Sequence, residues 1–355
     1  MSSTEKRIVP ALFDGNRLRQ ARIYRGLKKV DVAGVVDLTP AAIGQFESGK
    51  ARPSSSAYAS LALHLGFPPE FFERRGQSAH VTESHAHFRK LRSTSKMARD
   101  QSLVRLELLA ELLMTIEGHV ELPASDVPTY PIADDAPDPE PERAAAAVRE
   151  SWGLGKGPID SVVRLLEGRG VVIVRPQFDA SGVDAYSTWI GDRAVVVLSS
   201  EKADAARSRF DAAHELGHLV MHHDAEPGRH VVENQANRFA AAFLMPADVI
   251  GKEFPSRMSW PVFFRLKERW RVSLQALLYR ARTLGALGPE SYRRAQIYLS
   301  RQGWRDNEPI EIGAPEEPTL WLQAFALMQA ELDIDEKSVA VSCCLPDEVF
   351  SSLLS

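Results

Sequence analysis

The sequence predicts an α+β chain with an N-terminal all-α bundle, then a small antiparallel sheet plus helices, and a small helical C-terminal region. Three observations predict it. Short capped apolar runs fill residues 14–73, β-branched runs separated by turn residues lie between 171 and 198, and amphipathic runs dominate from 205 onward. The 355 residues exceed what one core ordinarily covers, and 44% hydrophobic content is ordinary for globular domains.

In the N-terminal bundle, helices are predicted at 16–25, 29–36, 40–48 and 55–65, joined by short connections that fit a helix-turn-helix arrangement. Thr39 is an N-cap followed by Pro40 at the first helical position, and Gly49 with Pro53 ends that helix. Residues 1–100 hold 17 Lys and Arg against 9 Asp and Glu, whereas the remainder holds 26 against 38. The overall charge of −4 therefore hides a basic head and an acidic body, which favours a double-stranded DNA partner for the bundle over a plain protein-interaction module.

Gly26, Ala33, Ile43, Glu47, Gly49 and Pro53 carry a resemblance to the XRE, or phage-repressor-like, helix-turn-helix family over residues 14–73. Two positions depart from it: Lys29 stands where Gln is usual, and Asp37 occupies a turn position commonly held by Gly, which Asp tolerates better than most residues. The resemblance implies that the helix after Thr39 enters the major groove and that Lys28, Lys29 and Lys50 face phosphates. Pro40, Ala41, Ala42 and Gly44 then offer little beyond contact with thymine methyls, which leaves Gln45 as the candidate base contact, with Thr39, Ala41 and Ala42 beside it in the DNA-facing set. Arg22 and Glu47 match an internal ion pair of the family.

Between the bundle and the second domain, residues 74–132 read as a helical connector. Its apolar-periodic run 101–117 fits either a homodimer seam or a helix packed on the domain that follows. The acidic, Pro-rich stretch 133–142 reads as a linker.

The second domain is predicted over 143–300. Val171–Val174, Ala185–Ile190 and Ala194–Leu198 read as strands, with a hairpin loop at 191–193. The strand Ala194–Leu198 is the candidate to hold an extended peptide, set against a plain core role. The run that follows contains His214-Glu215-Leu216-Gly217-His218, an H-E-x-x-H pattern. Residues four apart share a helix face, so both imidazoles can reach one metal ion while Glu215 stands beside them. Two neutral His leave room on a tetrahedral Zn²⁺ for a third ligand and a water whose proton Glu215 can take.

Downstream, Glu233, Ala236, Asn237 and Ala240 fall on one face of a second amphipathic run that stops at Pro246. Glu233 is the preferred third ligand and Asn237 a supporting hydrogen-bond partner, with Asp224, Glu226 and His230 as competing ligands. Tyr186, His222, His223 and His230 are candidates to steady an oxyanion.

Arg209 to Leu219, followed by Glu233 to Ala240 and Leu244-Met245-Pro246, resembles the ImmA/IrrE family of metallopeptidases over roughly residues 140–300. The resemblance implies a zincin-like domain in which two His and a downstream Glu bind the metal and the Glu of the motif is general base. Zinc is the metal expected, with manganese the alternative. Members of that family cleave repressor proteins. The expected protein is accordingly a DNA-binding regulator whose peptidase cuts a repressor or antitoxin-like protein, or the chain itself. The alternative is a non-hydrolytic regulator whose metal-binding domain only senses a ligand or partner.

From residue 310 on, runs at 320–332, 336–343 and 346–354 suggest a small helical region. It contains the only cysteines, Cys343 and Cys344, whose adjacency suits a reducing cytoplasm better than a structural disulfide. Burial in a helical core is their ordinary role, with sensing of oxidants or soft metals the alternative. No apolar run approaches the ~18 residues of a membrane span, and Met1–Lys6 lacks a signal-peptide core, so neither span nor leader is expected.

Overall fold

The computed structural model describes residues 13–73, 95–176, 185–200, 204–222 and 230–354. They form two compact units.

The first unit takes its described residues from 13–73, 95–122 and 321–354. Its helices are α1 (Gly15–Tyr24), α2 (Lys29–Val35), α3 (Pro40–Glu47), α4 (Ser55–Leu65) and, after a 3-10 turn at Pro69–Phe72, α5 (Lys96–Glu117). Side-chain caps start several of them. Asp14 accepts from Asn16 N–H at 2.8 Å, and the Thr39 and Ser54 hydroxyls accept from Ala42 and Ala57 N–H, each at 3.2 Å. Asp37 takes φ 52° between α2 and α3, as the turn requires. Gly15 is demanded by packing, because a Cβ there would collide with the Phe46 carbonyl oxygen at the end of α3.

The bundle core is Leu18, Ile43, Leu61, Phe71 and Phe72, each contributing roughly 1.5–3 kcal/mol through burial. The run 101–117 lies within the first unit. It belongs to α5, which lies against α1, where Glu111 receives both guanidinium nitrogens of the buried Arg17 at 2.9 and 2.7 Å. Its buried Leu106, Leu109, Leu113 and Ile116 are thus spent inside the unit. The C-terminal helices α14 (Leu320–Leu332), α15 (Glu336–Ser342) and α16 (Asp347–Leu354) follow the predicted runs. From Trp321 onward they belong to this unit, with Glu348 2.7 Å from Arg25 and the buried Cys343 beside Thr115 at 3.3 Å.

Described residues from 123–320 form the second unit. In order come α6 (Pro139–Ser151), α7 (Val162–Gly168), β1 (Val172–Val174), β2 (Ala185–Ile190), β3 (Arg193–Leu198), α8 (Ala205–Met221), α9 (His230–Leu244), α10 (Ala247–Glu253), α11 (Trp260–Trp270), α12 (Leu274–Thr283) and α13 (Pro289–Arg301). Two expectations need correction. Of the stretch 133–142, residues from Pro139 on are helical, with Pro at the first turn, where its missing N–H costs nothing.

The sheet is mixed rather than antiparallel, in the order β1-β3-β2. β2 and β3 form the expected hairpin around Gly191 (φ 62°) and Asp192, with Arg193 already paired to Ile190. β1, however, joins the far edge of β3 in parallel, Ile173 opposite Val196. The strand Ala194–Leu198 is therefore central, and its backbone is committed on both sides. Its alternating burial is complete on both faces, the pattern of an inner strand.

α8 is buried along nearly its whole length. Asp204 caps it, accepting from Arg207 N–H at 3.0 Å. Its depth is set by Arg209, 1% exposed, which pairs with Glu316 and donates to the carbonyls of Ile159, Asp160 (3.1 Å) and Arg271 (3.1 Å). Phe239 and Phe243 of α9 stack at 5.8 Å between ring centres beneath it.

Candidate functional site

The H-E-x-x-H residues occupy the middle of α8, and Glu233 lies in the first turn of α9, where the helix dipole favours an acid. Helix periodicity brings His214 and His218 to one face, with their Nε2 atoms 3.0 Å apart. Glu233 closes the group, its carboxylate oxygens 3.5 Å from His214 Nε2 and 3.7 Å from His218 Nε2. Among the described residues these three form a metal-capable cluster, one ligand atom from each lying within 4.8 Å of the others. Two imidazoles and a carboxylate suit zinc or a similar divalent ion. Of the competing ligands, His230 is exposed and contacts Asn234 at 3.1 Å. Asp224 and Glu226 lie outside the described residues.

The two helices come this close because residue 217 is glycine. A Cβ there would lie 3.0 Å from Phe239 Cδ1 on α9, so the x position of the motif sets the distance between the His pair and Glu233.

Each imidazole has a partner behind it. His214 Nδ1–H donates to Asn237 Oδ1 at 3.0 Å, the supporting contact expected for Asn237. His218 Nδ1 faces His222 Nδ1 at 3.0 Å, and His222 Nε2–H donates to Gln235 Oε1 at 2.9 Å. Burial pushes the pKa of His222 down to about 4, so it is neutral at neutral pH. Both ring nitrogens of His222 thus face interior partners, and His223 lies outside the described residues.

Glu215 is 3% exposed and stands outside the metal-capable trio. Its Oε2 accepts a 2.8 Å hydrogen bond from Ser187 Oγ on β2. Ser187, Gln235 and Gly217 are contributors that the sequence reading missed. Only a Ser inside the largely apolar and aromatic run Ala185–Ile190 could have hinted at the first. A cleft of about 600 Å³ opens over His214 and Glu233, lined also by Asn237, Arg207 and Tyr279. Burial raises the pKa of Tyr279, keeping its phenol protonated and able to donate. Tyr186, by contrast, is 2% exposed.

In the first unit α3 buries Ile43 and Phe46, which turns Thr39, Ala41 and Gln45 outward, with Ala42 half-buried beside them. Lys28 and Lys50 are exposed. Lys29 is exposed too, with its Nζ 3.3 Å from the Glu47 carboxylate. Glu47 also takes Arg22 at 2.5 and 3.2 Å, and Arg22 donates to Leu27 carbonyl at 2.8 Å, tying α1 to α3 as the structural pair expected. Among the described residues no helix is long and apolar enough to cross a membrane.

Comparison with known families finds two matches. Residues 15–74 match the helix-turn-helix domain, and residues 166–282 match the IrrE N-terminal-like domain, a peptidase family. None of the curated proteins matches the chain.

Proposed function

From the premise that this chain fuses a helix-turn-helix DNA-binding domain to an IrrE/ImmA-like peptidase domain, we propose that it is a transcriptional regulator with a metal-dependent endopeptidase activity. The substrate is a repressor or antitoxin-like protein, or the chain itself, and its cleavage switches gene expression. One observation carries the reading: His214, His218 and Glu233 converge as ligands while Glu215 of the same helix is left out of the trio and oriented by Ser187. A purely structural metal site has no use for such a carboxylate.

His214, His218 and Glu233 would hold the ion, with zinc preferred and manganese the alternative. Bound there, a divalent ion supplies Lewis acidity, acidifying a water and polarising a peptide carbonyl. Glu215 would serve as the base that takes a proton from the attacking water and returns it to the leaving amine. Because β3 is paired on both sides, β2, an outer strand of the described sheet and a neighbour of α8, is the strand we assign to hold an extended substrate by main-chain pairing. Tyr279, at the cleft wall, is the donor placed to steady the oxyanion. Thr39, Ala41, Ala42 and Gln45 read bases, while Lys28 and Lys50 bind phosphate, Lys29 contributing less.

Glu215→Gln tests the enzyme. With zinc or manganese, and the small repressor encoded beside the gene as candidate substrate, wild type should cleave and the variant should lose at least ~10²-fold in rate while keeping its metal and its DNA. Equal derepression of target genes in cells by Glu215→Gln and wild type would move the switch to binding alone.

A further inference from the structure

The metal-capable trio has a buried hydrogen-bond chain behind it that ends on the main chain. His218, His222 and Gln235 are 2%, 1% and 5% exposed, so every polar atom in them must find a protein partner. The chain can be read only from its far end. Gln235 Nε2 donates to Ala133 carbonyl at 2.9 Å, and a carbonyl can only accept. That anchors the amide orientation and turns Gln235 Oε1, a pure acceptor, towards His222 Nε2 at 2.9 Å. His222 Nε2 must then carry the proton. In a neutral imidazole the other nitrogen, Nδ1, is left as an acceptor, and it faces His218 Nδ1 at 3.0 Å. His218 Nδ1 is therefore protonated, which leaves its Nε2 lone pair directed at His214 and Glu233.

We propose that His222 and Gln235 are positioning residues that hold His218 in its metal-binding tautomer, and that the Ala133 carbonyl is the fixed end of the relay. The segment carrying Ala133 is itself pinned to the end of the active helix, with Tyr130 and Ile132 N–H donating to Val220 and Met221 carbonyls at 2.8 and 3.3 Å. The acidic stretch read as a linker thus supplies the backbone acceptor on which the second imidazole ligand depends. His214 reaches the same result differently, through the single amide oxygen of Asn237.

The inference rests on the metal reading of the site but is tested separately from it. In full-length protein with ¹⁵N-labelled histidine, long-range ring correlations should show His218 protonated on Nδ1 and His222 on Nε2, with or without added Zn²⁺. Zinc affinity, measured by competition with a chromophoric chelator, should fall about 10–100-fold in Gln235→Leu and in His222→Phe. His222→Asn puts an amide oxygen where Nδ1 was and should recover most of that loss, which a merely space-filling role would not predict. Circular dichroism and a cooperative thermal melt of the isolated samples, compared with wild type, report that the second unit is folded. Finding His222 protonated on Nδ1, or equal zinc affinity in wild type, His222→Phe and Gln235→Leu, overturns the relay. Wild type that takes up no zinc while showing the expected tautomers overturns the metal reading and leaves the relay standing.

Discussion

Gly217 of α8 and Phe239 of α9 meet where the helix of the two candidate His ligands crosses the helix of Glu233, and a Cβ on Gly217 would sit 3.0, 3.1 and 3.2 Å from three atoms of the Phe239 side chain. Gly217→Ala gains about 1 kcal/mol of helix propensity but overpacks a filled interface, which costs about 1–3 kcal/mol. The crowding should win. The variant is expected to melt lower than wild type and to bind zinc more weakly, since α9 has to retreat by a few tenths of an ångström and takes Glu233 with it. Differential scanning calorimetry and zinc competition measure both, and a stabilised variant with full affinity would refute the spacing role.

Ser187 and Glu215 give the second prediction. Ser187→Ala removes the 2.8 Å donor to Glu215 Oε2 without touching a metal ligand. Zinc stoichiometry should stay at wild-type level. Cleavage should fall, because a mis-aimed base loses part of the 10²–10⁴-fold that general-base catalysis typically supplies. A Ser187→Ala protein with undiminished kcat would remove Ser187 from the mechanism.

On the DNA side, the Lys29–Glu47 ion pair predicts unequal contributions from the lysines. Lys50→Ala should lower the slope of log K against log salt by about 0.9 on any duplex, the value for one lost phosphate contact. Lys29→Ala should lower it by clearly less, as Glu47 already offsets that charge at 3.3 Å. Titrations on non-specific duplex DNA at several salt concentrations compare the two directly; equal slope changes would return Lys29 to the phosphate-facing set.

Arg22 belongs to stability. It and Glu47 are 8% and 6% exposed, so Arg22→Ala leaves a buried carboxylate with Lys29 alone, a change that typically costs about 3 kcal/mol or more. The first unit should unfold at lower urea concentration, and DNA affinity should fall in proportion to the fraction unfolded.

Glu167 supplies a pH signature. It is 4% exposed and receives Thr319 and Leu320 N–H, yet burial raises its pKa above the ordinary carboxylate value. The folded state therefore holds this proton more tightly than the unfolded chain. Its stabilising contribution is complete below the ordinary value and is lost as pH rises through the raised one. The Tm of wild type should accordingly drop relative to Glu167→Gln as pH increases from about 4.5 to 7, and parallel Tm profiles would contradict it.

Local signals in this chain were legible because their physics is local. Thr39-Pro40 starts a helix whatever surrounds it, Asp37 accepts a left-handed turn, and the four-residue spacing of His214 and His218 places both on one helix face before any packing is known. The fold class and both domain types followed from such patterns. What the sequence could not decide was anything carried by residues distant along the chain. The parallel pairing of β1 with β3, which withdraws Ala194–Leu198 as a docking edge, depends on the path between strands and not on strand composition. The placement of α5 on α1 depends on Glu111 meeting Arg17, ninety-four residues earlier. Ser187, Gln235 and the Ala133 carbonyl gain their roles only when a strand, a helix and a Pro-rich segment converge on α8. A hydrogen bond or a close packing contact is a relation in space, and only the folded chain brings those partners within reach of one another.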